Sequence, residues 1–100
     1  MATETSALCG DIDRSTADAF RDGLYRSIDA ADGAIVEIDL SGVTFMDSAG
    51  YQAVVDANEY AVRTDHQLVI RNLSESCTKL VRLCDQRNEL RLENATPSSN

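Results

Sequence analysis

Apolar positions along the chain change their period several times, and each change marks an element. Ala7-Leu8-Cys9 is a short apolar run closed by Gly10, which predicts the end of a strand. Ser15-Thr16-Ala17-Asp18 places an acid three residues after a hydroxyl, a capping arrangement, and Ala17, Phe20, Leu24 and Ile28 then recur at helical spacing. Gly23 inside this stretch weakens the helix by about 1 kcal/mol relative to alanine. Asp32-Gly33 is expected to end it, and the β-branched run from Ala34 to Leu40 reads as a second strand. After a Ser41-Gly42 turn, Val43-Thr44-Phe45-Met46 leads into a helix from about Ser48 to Arg63. That helix is expected to bury Tyr51, Val54, Val55, Ala57 or Asn58, and Val62. Leu68-Val69-Ile70 is a further strand. Ser74-Glu75-Ser76-Cys77 opens another helix with Cys77, Leu80, Val81 and Cys84 on its inner face. Asn88 is a C-terminal cap, and Leu90 and Leu92 alternate as a short last strand.

Strands alternating with helices imply crossover units, hence an α/β fold with a mostly parallel sheet flanked by helices. One hundred residues make one domain, here 1–95, with 96–100 as a disordered tail. Nine basic and seventeen acidic residues give a net charge of −8, and Lys79 is the only lysine. Nucleic acid and anionic membrane surfaces both require a dense cationic patch, so neither is an expected partner. The same charge steers a domain toward a basic protein surface, or simply keeps it soluble. No apolar stretch approaches the roughly 20 residues that span a bilayer. Met1 to Thr5 lacks the cationic start and apolar core of a signal peptide, so a cytoplasmic location is expected. Three cysteines and one histidine, with no CxxC spacing, form neither a disulfide framework nor a zinc site.

A catalytic reading lacks its parts. His66 sits in a polar turn between Asp65 and Gln67, no second histidine is present to serve as a base, and the usual phosphate-binding glycine loops are absent. No enzyme activity and no cofactor are expected. Cys77 and Cys84 lie about 10.5 Å apart along a helix, too far for a disulfide, and read as buried fillers; Cys9 is left to meet one of them across the core. The unusual segment is Val43 to Gly50, an apolar strand running directly into Asp47-Ser48-Ala49-Gly50 and a helix. It puts Asp47 and Ser48 at the C-terminal end of a parallel strand, the edge at which such folds bind ligands. Ordinary capping explains an Asp-Ser pair there. A phosphate on the Ser48 hydroxyl would also face free backbone N–H groups and the positive helix end.

Gly10-Asp11-Ile12-Asp13 with Thr16-Ala17 resembles the G-E-L-D…T-A signature of STAS domains, and Ile35 to Gly50 resembles that family's central strand and phospho-loop. Within the family the chain is similar to bacterial anti-sigma factor antagonists. The resemblance spans about Leu8 to Leu92, and Ser74 and Asn88 fit it as well. It implies a protein that binds an anti-sigma factor of the serine kinase type and so frees a sigma factor. Phosphorylation of Ser48 by that kinase dissociates the pair, and a metal-dependent phosphatase reverses the step. On this resemblance Asp47 shapes the phosphoacceptor site, and Ala49, Gly50, Tyr51 and Gln52 complete the partner-binding loop. Tyr51 stands where Leu or Ile is usual and Gln52 where a second glycine is frequent, which bears on partner choice. The chain before Gly10 is about one strand short of the family, and the last helix after Leu92 is missing, as in a trimmed member or one whose start is assigned too late. A sheet edge left open in this way predicts self-association as a homodimer. Two alternatives stand: an adaptor, stressosome-like or in a transport complex, that is never phosphorylated, and a sensor holding a nucleotide at the strand ends.

Overall fold

The computed structural model describes residues 8–85 and 89–93. Its elements run β1 (Gly10–Ile12), α1 (Ala17–Asp29), β2 (Ile35–Asp39), β3 (Val43–Met46), α2 (Ser48–Arg63), β4 (Gln67–Arg71), α3 (Glu75–Cys84) and β5 (Arg91–Glu93). Every strand pair among the described residues is parallel, β1 with β3 in one sheet and β2–β4–β5 in the other. This is the expected α/β class with parallel strands. β4 lies in the middle of its sheet, and its Leu68, Val69 and Ile70 are all buried, which accounts for the unbroken apolar run. β2 sits at one side of that sheet, where Val36 and Ile38 face inward while Ile35, Glu37 and Asp39 face solvent.

The stripe Ala17, Phe20, Leu24 and Ile28 is the buried face of α1. On α2 the core side is carried by Gly50, Ala53, Val54, Ala57 and Ala61, small residues that let the helix lie close to its neighbours. Polar groups also tie the two helices. Arg21 bridges Asp18 at 2.7 Å and Asp56 at 3.5 Å, and the Tyr60 hydroxyl donates to Asp29 Oδ1 at 2.6 Å. The Tyr25 and Tyr60 rings meet with centroids 4.7 Å apart.

Several expectations need correcting. The strand expected to close at Gly10 starts there instead. Gly10 has φ +84°, donates its N–H to Gly42 O at 2.8 Å and is the first residue in register with β3, opposite Val43. The hydroxyls before α1 do not cap it: Thr16 Oγ1 turns back, donating to Asp11 O and accepting from Asp13 N–H, both at 2.9 Å. α1 ends at Asp29, ahead of Asp32-Gly33. Val62 is 62% exposed, because Ala61 beside it takes the inward position, and Tyr51 and Val55 are only half-buried. Cys84, the last residue of α3, is exposed, and Cys77 and Val81 carry that helix's buried face. Cys9 is also exposed, and none of the three cysteines is in a disulfide. The Asn88 cap, the 96–100 tail and the residues before Leu8 that bear on the sheet edge lie outside the described residues.

Candidate functional site

Residues Met46 to Gly50 carry the chain from β3 into α2, and each has a different environment. Met46 is buried. Asp47 is the N-cap of α2, in extended conformation, and its Oδ1 accepts from the N–H groups of Ala49 at 2.9 Å and Gly50 at 3.3 Å. Its own N–H donates to Ile12 O at 3.1 Å, and its carbonyl accepts from Tyr51 N–H at 3.0 Å. Asp47 therefore ties the helix start to the end of β1. Ser48 is the first helical residue and is exposed, and among the described residues its hydroxyl has no side-chain hydrogen bond. A Cβ on Gly50 would stand 2.6 Å from Met46 Cγ and 2.9 Å from Ile12 Cγ2, so only glycine lets the first turn of α2 press against β1 and β3.

This geometry corrects one expectation. The N–H groups expected to be free for a phosphate on Ser48 include those of Ala49 and Gly50, and both are taken by the Asp47 carboxylate. A phosphate there meets the positive helix end and a like charge together.

The other loop residues divide. Gln52, one turn after Ser48 and on the same face of α2, is exposed and donates from Nε2 to Asp56 Oδ1 at 3.1 Å. Tyr51 packs half-buried against the core, and burial, followed by the nearby Asp85 carboxylate, pushes its phenol above the usual range. Ala49 is half-buried. Ser48 and Gln52 are thus the most solvent-facing of the expected loop residues. Next to them, Asp13 follows β1, and hydrogen bonds from the Ser15 hydroxyl and N–H hold its carboxyl below the usual range.

Two features escaped the sequence reading. The β1–β3 register shifts between Gly10 and Asp11, so Thr44 bulges out of β3 and the run Val43 to Met46 reads in, out, out, in. Phe45 is left 50% exposed beside Asp11. The second is Asp85, the one buried charged residue among those described, whose carboxylate accepts from Glu89 N–H at 3.0 Å and Leu90 N–H at 2.9 Å. It closes the connection from α3 to β5. Neighbouring charges that compensate each other in sequence hide such a residue, and only its burial singles it out.

A family model described as "Mlab, STAS domain" matches residues 3–92. The chain belongs to the STAS domain family. The solved structure of the anti-sigma factor antagonist SpoIIAA in its unphosphorylated form is similar, with a TM-score of 0.61 and 19% identity over 89% of this chain and 76% of that one. That likeness speaks for a shared fold. No curated relative matches the chain. Within this STAS domain a cavity of about 490 Å³ opens between Asn58, Val62, Leu68, Arg82 and Leu90, at the N-terminal end of β4 and not at the C-terminal strand ends. Among the described residues no helix is long and apolar enough to cross a membrane, and no group of three or more His, Cys, Asp or Glu is placed to hold a metal ion.

Proposed function

We propose that this STAS domain is an anti-sigma factor antagonist, a cytoplasmic protein ligand without enzyme activity, switched off by phosphorylation of Ser48. The observation that carries the reading is the exposed, unengaged Ser48 hydroxyl held at a fixed position by the Asp47 cap, on the rim where β1 and β3 end. A kinase needs a hydroxyl it can reach without unfolding the domain, and this one stands on the first turn of α2. The fold shared with SpoIIAA, an anti-sigma factor antagonist, supports the same reading. The partner is an anti-sigma factor of the serine kinase type. Bound there, it meets a neutral hydroxyl; a phosphate adds about −1.5 to −2 charges that must be desolvated at the interface. A phosphatase resets the switch.

The test starts with the Ser48→Ala protein as bait, which binds constitutively because it accepts no phosphate. The kinase it retains, given ATP, phosphorylates the wild-type chain at Ser48 and leaves Ser48→Ala unlabelled, as read by mass mapping. Equal labelling of the two proteins, or undiminished binding by phosphorylated wild type, rejects the reading. The second reading is an adaptor subunit that is never phosphorylated. It is kept because the Ala49 and Gly50 N–H groups that could hold a phosphate on Ser48 are already taken by the Asp47 carboxylate. Retention of a non-kinase complex by wild type and Ser48→Ala alike favours it.

A further inference from the structure

The chain has two phenylalanines, and they have opposite fates: Phe20 has no exposed surface, while Phe45 is half exposed. The β-bulge is what turns Phe45 outward, since a regular strand would have alternated the residues from Val43 to Met46 between core and solvent. Across the strand pair, Phe45 is in register with Asp11, which places their side chains next to each other on one face. Thr44 Oγ1 donates to Asp11 Oδ1 at 2.8 Å and steadies that carboxylate, and Asp11 meets no cation among the described residues. An exposed aromatic ring alone calls for no explanation. A ring, an oriented carboxylate without a counter-ion and a bulge that creates the arrangement, three residues before an exposed serine, do.

We propose that Phe45 and Asp11 form a seat for one arginine side chain of the protein that docks beside Ser48. The proposal rests on the reading of Ser48 as lying at a protein interface. Charge complementarity identifies the occupant. The domain carries a net −8, and Asp11, Asp13 and Asp47 cluster where β1 and β3 end, so the matching surface is basic. A guanidinium lying over the Phe45 ring, within about 6 Å of its centre, can reach the Asp11 carboxylate at the same time. Phe45 is a specificity-determining residue in this arrangement, because the ring selects a flat cation where the carboxylate alone would accept any positive charge.

Two measurements on the full chain test it. In the first, Nα-acetyl-arginine amide is titrated against the protein by NMR, with Nα-acetyl-citrulline amide as the neutral control. Shifts at the Phe45 ring and Asp11 with arginine and not with citrulline are expected; equal or absent shifts overturn the proposal. In the second, the kinase retained by the Ser48→Ala protein is bound to further variants made in that background. Phe45→Leu, which keeps the apolar bulk and loses the ring, and Asp11→Asn each weaken binding about tenfold, while Phe45→Trp keeps it. Ile35→Ala and Val62→Ala, both exposed and on β2 and α2 rather than on the β1–β3 pair, leave it unchanged. Retention of the kinase with Phe45→Leu binding as well as its parent overturns the seat and leaves the Ser48 reading standing. Arginine-specific shifts without any retained kinase overturn the Ser48 reading and leave the seat standing.

Discussion

Replacing Asp47 by alanine removes the acceptor for the Ala49 and Gly50 N–H groups while leaving the Ser48 hydroxyl in place. Loss of an N-cap of this type costs about 1–2 kcal/mol. For a 100-residue domain each kcal/mol lowers Tm by about 4–8 °C, so Asp47→Ala should melt roughly 4–16 °C below wild type. Asp47→Asn keeps a side-chain oxygen on the same N–H groups and should lose only a small part of this. The pair of variants also separates the cap from the charge. A phosphate on Ser48 and the Asp47 carboxylate repel by about 1 kcal/mol per pair of unit charges 4 Å apart in water, and the helix N-terminus returns about 0.3–1 kcal/mol. Phosphorylation should therefore lower Tm by a few degrees in wild type and less in Asp47→Asn. Thermal melts of the phosphorylated and unphosphorylated forms read both effects, and amide exchange at Ala49 and Gly50 locates them. A Tm for Asp47→Ala within a degree of wild type refutes the capping argument. An identical phosphorylation shift in wild type and Asp47→Asn refutes the charge argument.

Two further substitutions probe the packing that places the site. Gly50→Ala drives a methyl group against Met46 and Ile12, which should cost about 1–3 kcal/mol in urea unfolding; unchanged stability means that the helix start moves freely. Tyr60 donates its hydroxyl to Asp29, and that bond is the first cause raising its phenol above 10. A raised folded pKa contributes stability that is fully present below the unfolded value of about 10 and is lost as pH rises through the folded value. Wild type should thus lose stability above about pH 10 more steeply than Tyr60→Phe, as checked by denaturant melts at stepped alkaline pH, and parallel profiles count against it.

How legible this was in the sequence differs by element. The bounds of α2, Ser48 to Arg63, follow from an apolar strand that stops at an Asp-Ser pair and a helical period that starts there. The buried face of α1 is equally plain, because its apolar residues are large and evenly spaced. On α2 the same logic misplaces Val62. A count of large apolar side chains overlooks alanines, yet Ala53, Ala57 and Ala61 make the close contact and leave Val62 outside. At the site itself, either Asp47 or Ser48 is a good N-cap by residue type, and only the backbone geometry decides that Asp47 takes the role and fills the N–H groups. β3 hides most. Its four residues read as an even strand, and the bulge that exposes Phe45 arises from pairing with β1, a partner more than thirty residues away that no local pattern encodes.

The proposed Phe45–Asp11 seat bears on how a phosphate on Ser48 would release a partner. If the docking surface is basic, a phosphate on Ser48 should by charge alone strengthen the complex, since it adds negative charge to an acidic rim. Release must then come from its bulk and from the cost of desolvating it against a surface shaped for a hydroxyl, aided by its competition with Asp11 for the same cation. This leads to opposite salt responses. Unphosphorylated protein binds through exposed charges of opposite sign, so its affinity should fall as salt is raised. If phosphorylation acted through like-charge repulsion, salt would screen it and restore binding of the phosphorylated form. Steric and desolvation costs are not screened, so raising salt should leave the phosphorylated protein unbound. Titrating the retained kinase with both forms at low and high salt decides between the two. Recovery of the phosphorylated complex at high salt would mean that repulsion, and not a filled interface, works the switch, and would place an acidic surface on the partner opposite Ser48.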